Sequence, residues 1–391
     1  MKISFIQPSR NNLKYLKWSY EAIRKNQGDH EAEICVADDA SSDGTWEWCI
    51  DRMIHDPSFK AIRNEGPNRL GHTILYDRLV NEVATKDIAM IYHADMYLCP
   101  GALDAIEQEI KPGVIVSLTR IEPPLHPDGP EKILRDFGVE PEEFNEKGLL
   151  DFISSRVPNN DTTEGIFAPW AFYRKDFQEI GGHDPLYAPQ SKEDSDIFNR
   201  FQLNGIKFVQ TWHGCVYHMT CRGSRRNTKD KAVNIYQDSP EWLAQNQRST
   251  RNFIRKWGHF VKHDPLMKPI IPPKYDIGFI VKNSQDVQLI EALEPWCTTI
   301  YVDASRENYI ELEQKNTLYD LSEKIRSYDS EKINEILINI DGKLFNQQDF
   351  QTIQQLSEII KDSGQVGEFE LGNLFINIID MNEYQDDLIK L

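Results

Sequence analysis

Asp95 stands just after an unusually apolar run, residues 88–92, with His93-Ala94 between. A carboxylate so placed can hold Mg2+ or Mn2+ against a diphosphate. These hard cations prefer oxygen ligands and neutralise charge on a departing phosphate. The plainer reading is a lone acid at a strand end. Glu193-Asp194-Ser195-Asp196 open a helical pattern that continues through Ile197-Phe198-Asn199-Arg200. Acidic residues suit a helix start through the macrodipole, but a carboxylate there can also serve as general base toward an attacking hydroxyl. Asp38-Asp39 precede the run Ala40-Ser41-Ser42-Asp43-Gly44-Thr45. An acid at that point can accept hydrogen bonds from a base N–H or a ribose hydroxyl. The Ser/Asp/Gly run turns the chain and caps the next helix, and capping alone is the other reading.

Further along, His213 and His218 bracket a short strand pattern, residues 214–217. A His is more often a structural hydrogen-bonder than a ligand. Here His218 is a candidate ligand for metal or diphosphate, and His213 a weaker one. Arg222, Arg225, Arg226, Lys229 and Lys231 follow at once. A charge run is usually a solvated face, but this one interrupts an acidic chain and suits a diphosphate or an anionic acceptor. Trp170 is either a core residue or a stacking surface for a sugar.

The elements that must position these groups alternate. Residues 3–6, 33–37, 60–64 and 88–92 read as strands, and 13–25, 45–54 and 73–84 as helices. That order predicts an α/β domain with a mainly parallel sheet flanked by helices. In such sheets ligands bind beyond the carboxyl ends of the strands. Three strand ends meet polar residues, at Ser9-Arg10-Asn11, at Asp38-Asp39 and at His93-Ala94-Asp95, so one crevice is expected to collect them. Residues 121–165, rich in Pro, Asp, Glu and Gly, read as an excursion over that crevice, with a helix at 149–156. Residues 226–272 read as a basic segment, helical at 241–257, that ends in a stiff Pro-rich linker. A second alternation begins at 273: strands at 277–281, 299–303, 335–340 and 374–379, helices at 287–293, 318–326 and 350–360. The expected division is therefore 1–225, 226–272 and 273–391, the last a small acidic α/β domain without a Gly-rich phosphate loop.

The formal net charge of −18 over 391 residues disfavours a general nucleic-acid binder, which needs clustered Lys and Arg. No apolar run approaches the length that spans a bilayer. The first residues lack the pattern of a signal peptide. The six cysteines form no C-x-x-C pair, and a cytoplasmic protein with reduced thiols is expected.

Taken in order, the motifs resemble the family-2 glycosyltransferases, inverting enzymes of the Rossmann-like GT-A fold. The segment from Cys35 to Thr45 is similar to their nucleotide-binding turn, and the segment from Ile91 to Pro100 to their D-x-D segment. The segment from Phe172 to Asp184, with its Gly-Gly turn, resembles the approach to the base. Glu193-Asp194-x-Asp196 with Arg200 resembles the E-D-x-D…R helix, and residues 205–218 resemble the strand pair that follows. The resemblance covers about 220 residues.

It implies transfer of a sugar, by a hexosyltransferase-type enzyme, from a nucleotide-diphosphate donor (a UDP-sugar) to a glycan or other hydroxyl acceptor. Asp194 would be the base with Glu193 beside it in the catalytic pair, acting at an oxocarbenium-like centre. Asp95 and His218 would hold Mn2+ or Mg2+. Pro8, Ser9, Arg10, Asp39, Asn64, Arg69, His93, Ala94, Trp170 and Arg222 would bind the nucleotide sugar. Two departures stand out: His93 replaces the first acid of D-x-D, and His183 the usual Phe of Gly-Gly-Phe-Asp. The long excursion at 121–165 would shape acceptor choice, and the C-terminal domain would pair subunits, dock a partner enzyme or present the acceptor.

Two other readings compete. A non-catalytic nucleotide-sugar or glycan-binding module would account for the altered D-x-D. A nucleotidyltransferase would need a Gly-rich, basic loop after the first strand, and Pro8-Ser9-Arg10-Asn11-Asn12 is not one.

Overall fold

The computed structural model describes residues 1–220, 238–283, 287–304 and 306–391, which divide into two compact units. The first contains Met1–Ala244, His263–Ile270 and Lys390–Leu391; the second contains Gln245–Lys262 and Ile271–Ile389.

The first unit is built on one sheet. Its strands are β1 (Lys2–Ser9), β2 (Glu31–Asp39), β3 (Phe59–Asn64), β4 (Ile88–Ile91), β5 (Met96–Leu98), β6 (Val114–Glu122), β7 (Lys132–Leu134), β8 (Thr162–Thr163), β9 (Trp170–Tyr173) and β10 (Lys207–His218). The order is β3-β2-β1-β4-β9-β6-β10-β5, with β7 added to β6 and β8 to β10. The helices are α1 (Leu13–Asn26), α2 (Thr45–His55), α3 (Gly71–Arg78), α4 (Ala102–Glu109), α5 (Glu146–Ser155), α6 (Arg174–Glu179), α7 (Glu193–Leu203) and α8 (Pro240–Trp257). Residues of α8 from 245 onward belong to the second unit.

The α/β class and the early alternation agree with expectation, and β3-β2-β1-β4 is the parallel half. Residues 3–9 of β1 and 32–39 of β2 are buried without a break, the pattern of strands covered on both faces. Past β4 the sheet becomes mixed, because β9 inserts antiparallel to both β4 and β6. Strands β5 to β9 were not expected, and two of them matter most for the site. Val114–Glu122 is a long buried strand whose apolar run closes on an acid, and Met96–Leu98 is a short one that reverses beside β10. The excursion is packed. Phe137 and Leu149 share a buried cluster with Tyr97, Cys215 and Tyr217, and the Tyr217 hydroxyl donates to Gly138 O at 2.6 Å.

The second unit has its own sheet of six strands at Ile325–Ser327, Thr299–Val302, Ile277–Lys282, Ile336–Asp341, Leu374–Ile378 and Gly367–Leu371, in that spatial order. The first four run parallel and the last two antiparallel. The helix expected at 318–326 is only Leu321–Lys324, after which the chain becomes an edge strand. The helix expected at 350–360 is broken at Gln355. Arg255 and Glu294 pair at 2.7 Å in the interior, and Tyr309 donates to the same carboxylate at 2.9 Å. Removing one partner of such a pair strands a buried charge. Among the described residues, no helix is long and apolar enough to cross a membrane.

Candidate active site

A cavity of about 380 Å³ opens in the first unit at the carboxyl ends of β1, β2 and β4, a volume typical of a small-molecule site. β1 delivers Pro8, Ser9 and Arg10 to its wall. The Ser9 hydroxyl is buried with no hydrogen-bond partner among the described residues, a state that suits a group awaiting a ligand. Arg10 Nη1 donates to the Asp39 carbonyl at 3.0 Å, which ties the end of β1 to the end of β2.

Asp39 lines the wall, and its carboxylate organises the neighbouring backbone. Oδ1 accepts from Leu70 N at 3.0 Å and Oδ2 from Gly71 N at 2.9 Å, so the acid meets the exposed amides of α3. Asn64 Nδ2 donates to the same Oδ1 at 2.7 Å. Asn64 thus stands behind Asp39 and does not line the cavity. Gly71 has φ +79°, and a Cβ there would lie 2.1 Å from Pro189 O. The missing side chain lets the segment before α7 close on α3. Arg69 Nη2 then donates to Gln190 Oε1 at 2.6 Å, and both side chains line the wall.

His93, Ala94 and Asp95 leave β4 at the cavity. The chain then reverses into β5, which pairs with β10 so that Met96 faces His218. Met219 N donates to Asp95 O at 3.0 Å, which locks the two segments together. One ligand atom each from His93, Asp95 and His218 lies within 4.8 Å of the other two. His218 Nε2 is 3.4 Å from Asp95 Oδ1, and its Nδ1 is 2.8 Å from Glu122 Oε1. Burial lowers the His93 pKa to about 4, helped by the neighbouring His218, so His93 is a neutral imidazole. Burial also opposes a charge on His218, but Asp95 and Glu122 outweigh it and raise its pKa to about 9. Asp95 is held below the usual carboxylate range: burial opposes its charge, and His218 overcomes that.

Glu193 and Asp194 enter from the first turn of α7. Burial pushes Glu193 up to about 8, with the charge of Asp194 adding. Burial raises Asp194 as well, and His183 partly offsets this. Glu193 Oε2 is buried with no partner among the described residues. The remainder of the motif is structural. Arg200 Nε meets Asp196 Oδ2 at 2.8 Å, and its other nitrogens donate to Ile180 O at 2.9 Å and Gly182 O at 2.6 Å. This buried bracket fixes the Gly-Gly turn against α7 and so aims the helix start. His183 binds Asp77 through Nδ1 at 2.7 Å.

Of the residues expected at the nucleotide sugar, Pro8, Ser9, Arg10, Asp39, Arg69, His93 and Ala94 share the wall with Asp95, His218, Glu193 and Asp194. Trp170 does not. It is wholly buried, with its ring 4.6 Å from Phe172, 5.5 Å from Phe198 and 5.8 Å from Phe201, and it takes the core alternative. His213 is half-exposed on Asp161, away from the cavity. Arg222 and the basic run after it lie outside the described residues. Sequence reading missed His72, Tyr76, His126, Gln190 and Trp242, which also line the wall. It missed Glu122 too, although an acid closing the apolar run from Val114 repeats the signal of Asp39 and Asp95.

No curated protein matches the chain. Among solved structures, GalNAc-T7 with UDP, GalNAc and Mn2+ is 14% identical over 66% of this chain and 48% of its own, with a TM-score of 0.47. Mannosyltransferase PcManGT from Pyrobaculum calidifontis, in complex with GDP-Man and Mn2+, is 16% identical over 56% of each chain, with a TM-score of 0.40. S. aureus TarS 1-349 in complex with UDP-GlcNAc is 17% identical over 65% of this chain and 66% of its own, with a TM-score of 0.40. This chain thus spans about half the length of the first two. The model of glycosyl transferase family 2 matches residues 4–181, which hold Asp39 and Asp95 but end before Asp194 and His218. Over residues 4–181, under half of its length, the chain is similar to glycosyl transferase family 2.

Proposed function

We propose that the first unit is an inverting glycosyltransferase that moves a sugar from a nucleoside-diphosphate donor, a UDP-sugar, to an acceptor hydroxyl. One observation carries this reading: a single cavity collects a carboxylate pair, the buried Glu193 and the half-buried Asp194, and a His93–Asp95–His218 cluster. The cluster fits a divalent cation such as Mn2+. It offers one hard oxygen and two imidazole nitrogens, with Glu122 behind His218 in the usual outer-shell position. Asp95, His218 and His93 would hold the ion, which when bound neutralises charge on the departing diphosphate.

This chain's own groups supply the rest. Ser9, Arg10, Asp39 and Arg69 bind the nucleotide end. Asp194 accepts the acceptor's hydroxyl proton as that oxygen bonds to the anomeric carbon, and the bond from that carbon to the diphosphate oxygen breaks with inversion. Burial makes Asp194 a stronger base than an exposed carboxylate. Glu193, protonated near neutral pH, leaves Asp194 as the charged member of the pair and donates a hydrogen bond toward a sugar hydroxyl. A non-catalytic binding module was motivated by His93 in an acidic position. A neutral His beside Asp95 and His218 is itself a metal-ligand candidate, so that motive weakens.

The test is Asp194→Asn. Transfer is expected to disappear while calorimetry still records UDP binding with Mn2+. Unchanged turnover would overturn the assignment of the base. A calorimetric preference for GDP or ADP over UDP would overturn the donor class.

A further inference from the structure

We infer that Glu122 is a positioning residue for the metal site, and that the excursion after β6 holds it in place through Lys132. This rests on the proposed divalent-metal reading of His93, Asp95 and His218. β6 and β10 run parallel with Ile121 opposite Tyr217, so the next residue of each strand, Glu122 and His218, meet at the strand ends. Glu122 Oε1 takes the Nδ1 side of His218 at 2.8 Å. The ring is thereby turned with Nε2 toward Asp95, 3.4 Å away. A carboxylate that accepts from one imidazole nitrogen fixes the tautomer and orientation of the other, and raises its basicity toward a metal.

Charge balance alone does not explain the arrangement. Arg120 Nη1 and Lys132 Nζ are each 3.5 Å from Glu122, both farther than His218. The carboxylate makes its closest contact with the imidazole and leaves the two cations as its support. Glu131 completes that support, 3.5 Å from Arg120 and 3.9 Å from Lys132. Glu131 and Lys132 come from the excursion, whose strand β7 pairs with β6 at Arg120↔Lys132 and Glu122↔Leu134. Arg120 is further fixed over the Phe167 ring at 4.4 Å. Glu122 is buried at 2% side-chain exposure, and its supports are largely covered, Lys132 at 9% and Arg120 at 17%. The excursion therefore has a second duty beside any effect on the acceptor: it braces the residue that orients His218.

The test is Mn2+ affinity of the EDTA-treated full chain, read from the electron paramagnetic resonance of free Mn2+ with no donor present. Glu122→Gln is expected to weaken binding by about 10- to 100-fold, the range for lost outer-shell partners. Its amide can offer an N–H where Nδ1 needs an acceptor. Lys132→Met, which keeps the carboxylate, should weaken Mn2+ in the same direction but less. It also serves as the readout should Glu122→Gln fail to fold, as judged by its melting curve. His218→Ala separates the two levels of the argument. Loss of Mn2+ with His218→Ala, but wild-type affinity with folded Glu122→Gln and Lys132→Met, overturns the positioning role alone. Wild-type affinity in all three variants overturns the metal site, and the positioning role with it.

Discussion

Gly71→Ala is the sharpest probe of how the two halves of the cavity are joined. A Cβ at residue 71 would lie 2.1 Å from Pro189 O and 2.3 Å from Pro189 Cβ, far inside contact distance, and the backbone φ is +79°. The left-handed conformation costs Ala about 1–2 kcal/mol. Relieving the overlap adds about 1–3 kcal/mol of the kind seen when close-packed sites are overfilled. The expected loss is thus about 2–5 kcal/mol, which for a unit of this size lowers Tm by roughly 2–4 °C per kcal/mol. Activity should suffer beyond this. Clearing the clash moves Pro189 and Gln190 away by roughly 1 Å, drags on the start of α7, and misplaces Asp194; a shift of that size can reduce turnover about 100-fold. Donor affinity should fall much less, because Ser9, Arg10 and the His93–Asp95–His218 cluster stand on other elements. Urea denaturation with parallel kcat and KM measurements decides the matter. A Gly71→Ala protein of wild-type stability and turnover would refute the close-approach reasoning.

The pH dependence of the carboxylate pair gives a second prediction. Burial raises both folded-state values, Glu193 to about 8, so the pair's stability contribution is complete below the unfolded value near 4.5 and is lost as pH rises through about 8. Glu193→Gln should therefore gain stability relative to the wild type as pH climbs across that window, and should lose the basic limb of kcat/KM that ionisation of Glu193 near pH 8 imposes. Parallel limbs and a constant stability difference would count against the coupled pair. For Trp170, the core placement predicts that Trp170→Ala loses about 3–5 kcal/mol, whereas Trp170→Phe leaves the donor KM unchanged; a large KM rise in a folded Phe variant would return Trp170 to the sugar site.

Much of the site was legible because acids that close apolar runs stand out. Asp39 and Asp95 follow buried strands, and strand ends in such sheets face the ligand. Glu193 and Asp194 could be placed on a helix start from local pattern alone. Roles were harder. Asp39 could be read as a ligand group or as part of a cap on the helix at 45–54; the structure instead shows it accepting from the two amides that open α3, a helix farther along the chain. Trp170 could be read as core or platform, and only its neighbours Phe172, Phe198 and Phe201 distinguish these.

The sequence by itself determined the α/β alternation, the crevice at three strand ends and the helix that carries the carboxylate pair. Periodicity and turn chemistry are local properties, and each short window states its own. Tertiary structure decided the partners. The insertion of β9 between β4 and β6 turned a parallel sheet into a mixed one. The pairing of β5 with β10 carried His218 to Asp95 across more than a hundred residues, and the register of β6 with β10 set Glu122 behind it. A strand's pattern specifies which face is buried but not which distant strand it will bond, so the His93–Asp95–His218 cluster existed only once the sheet was assembled.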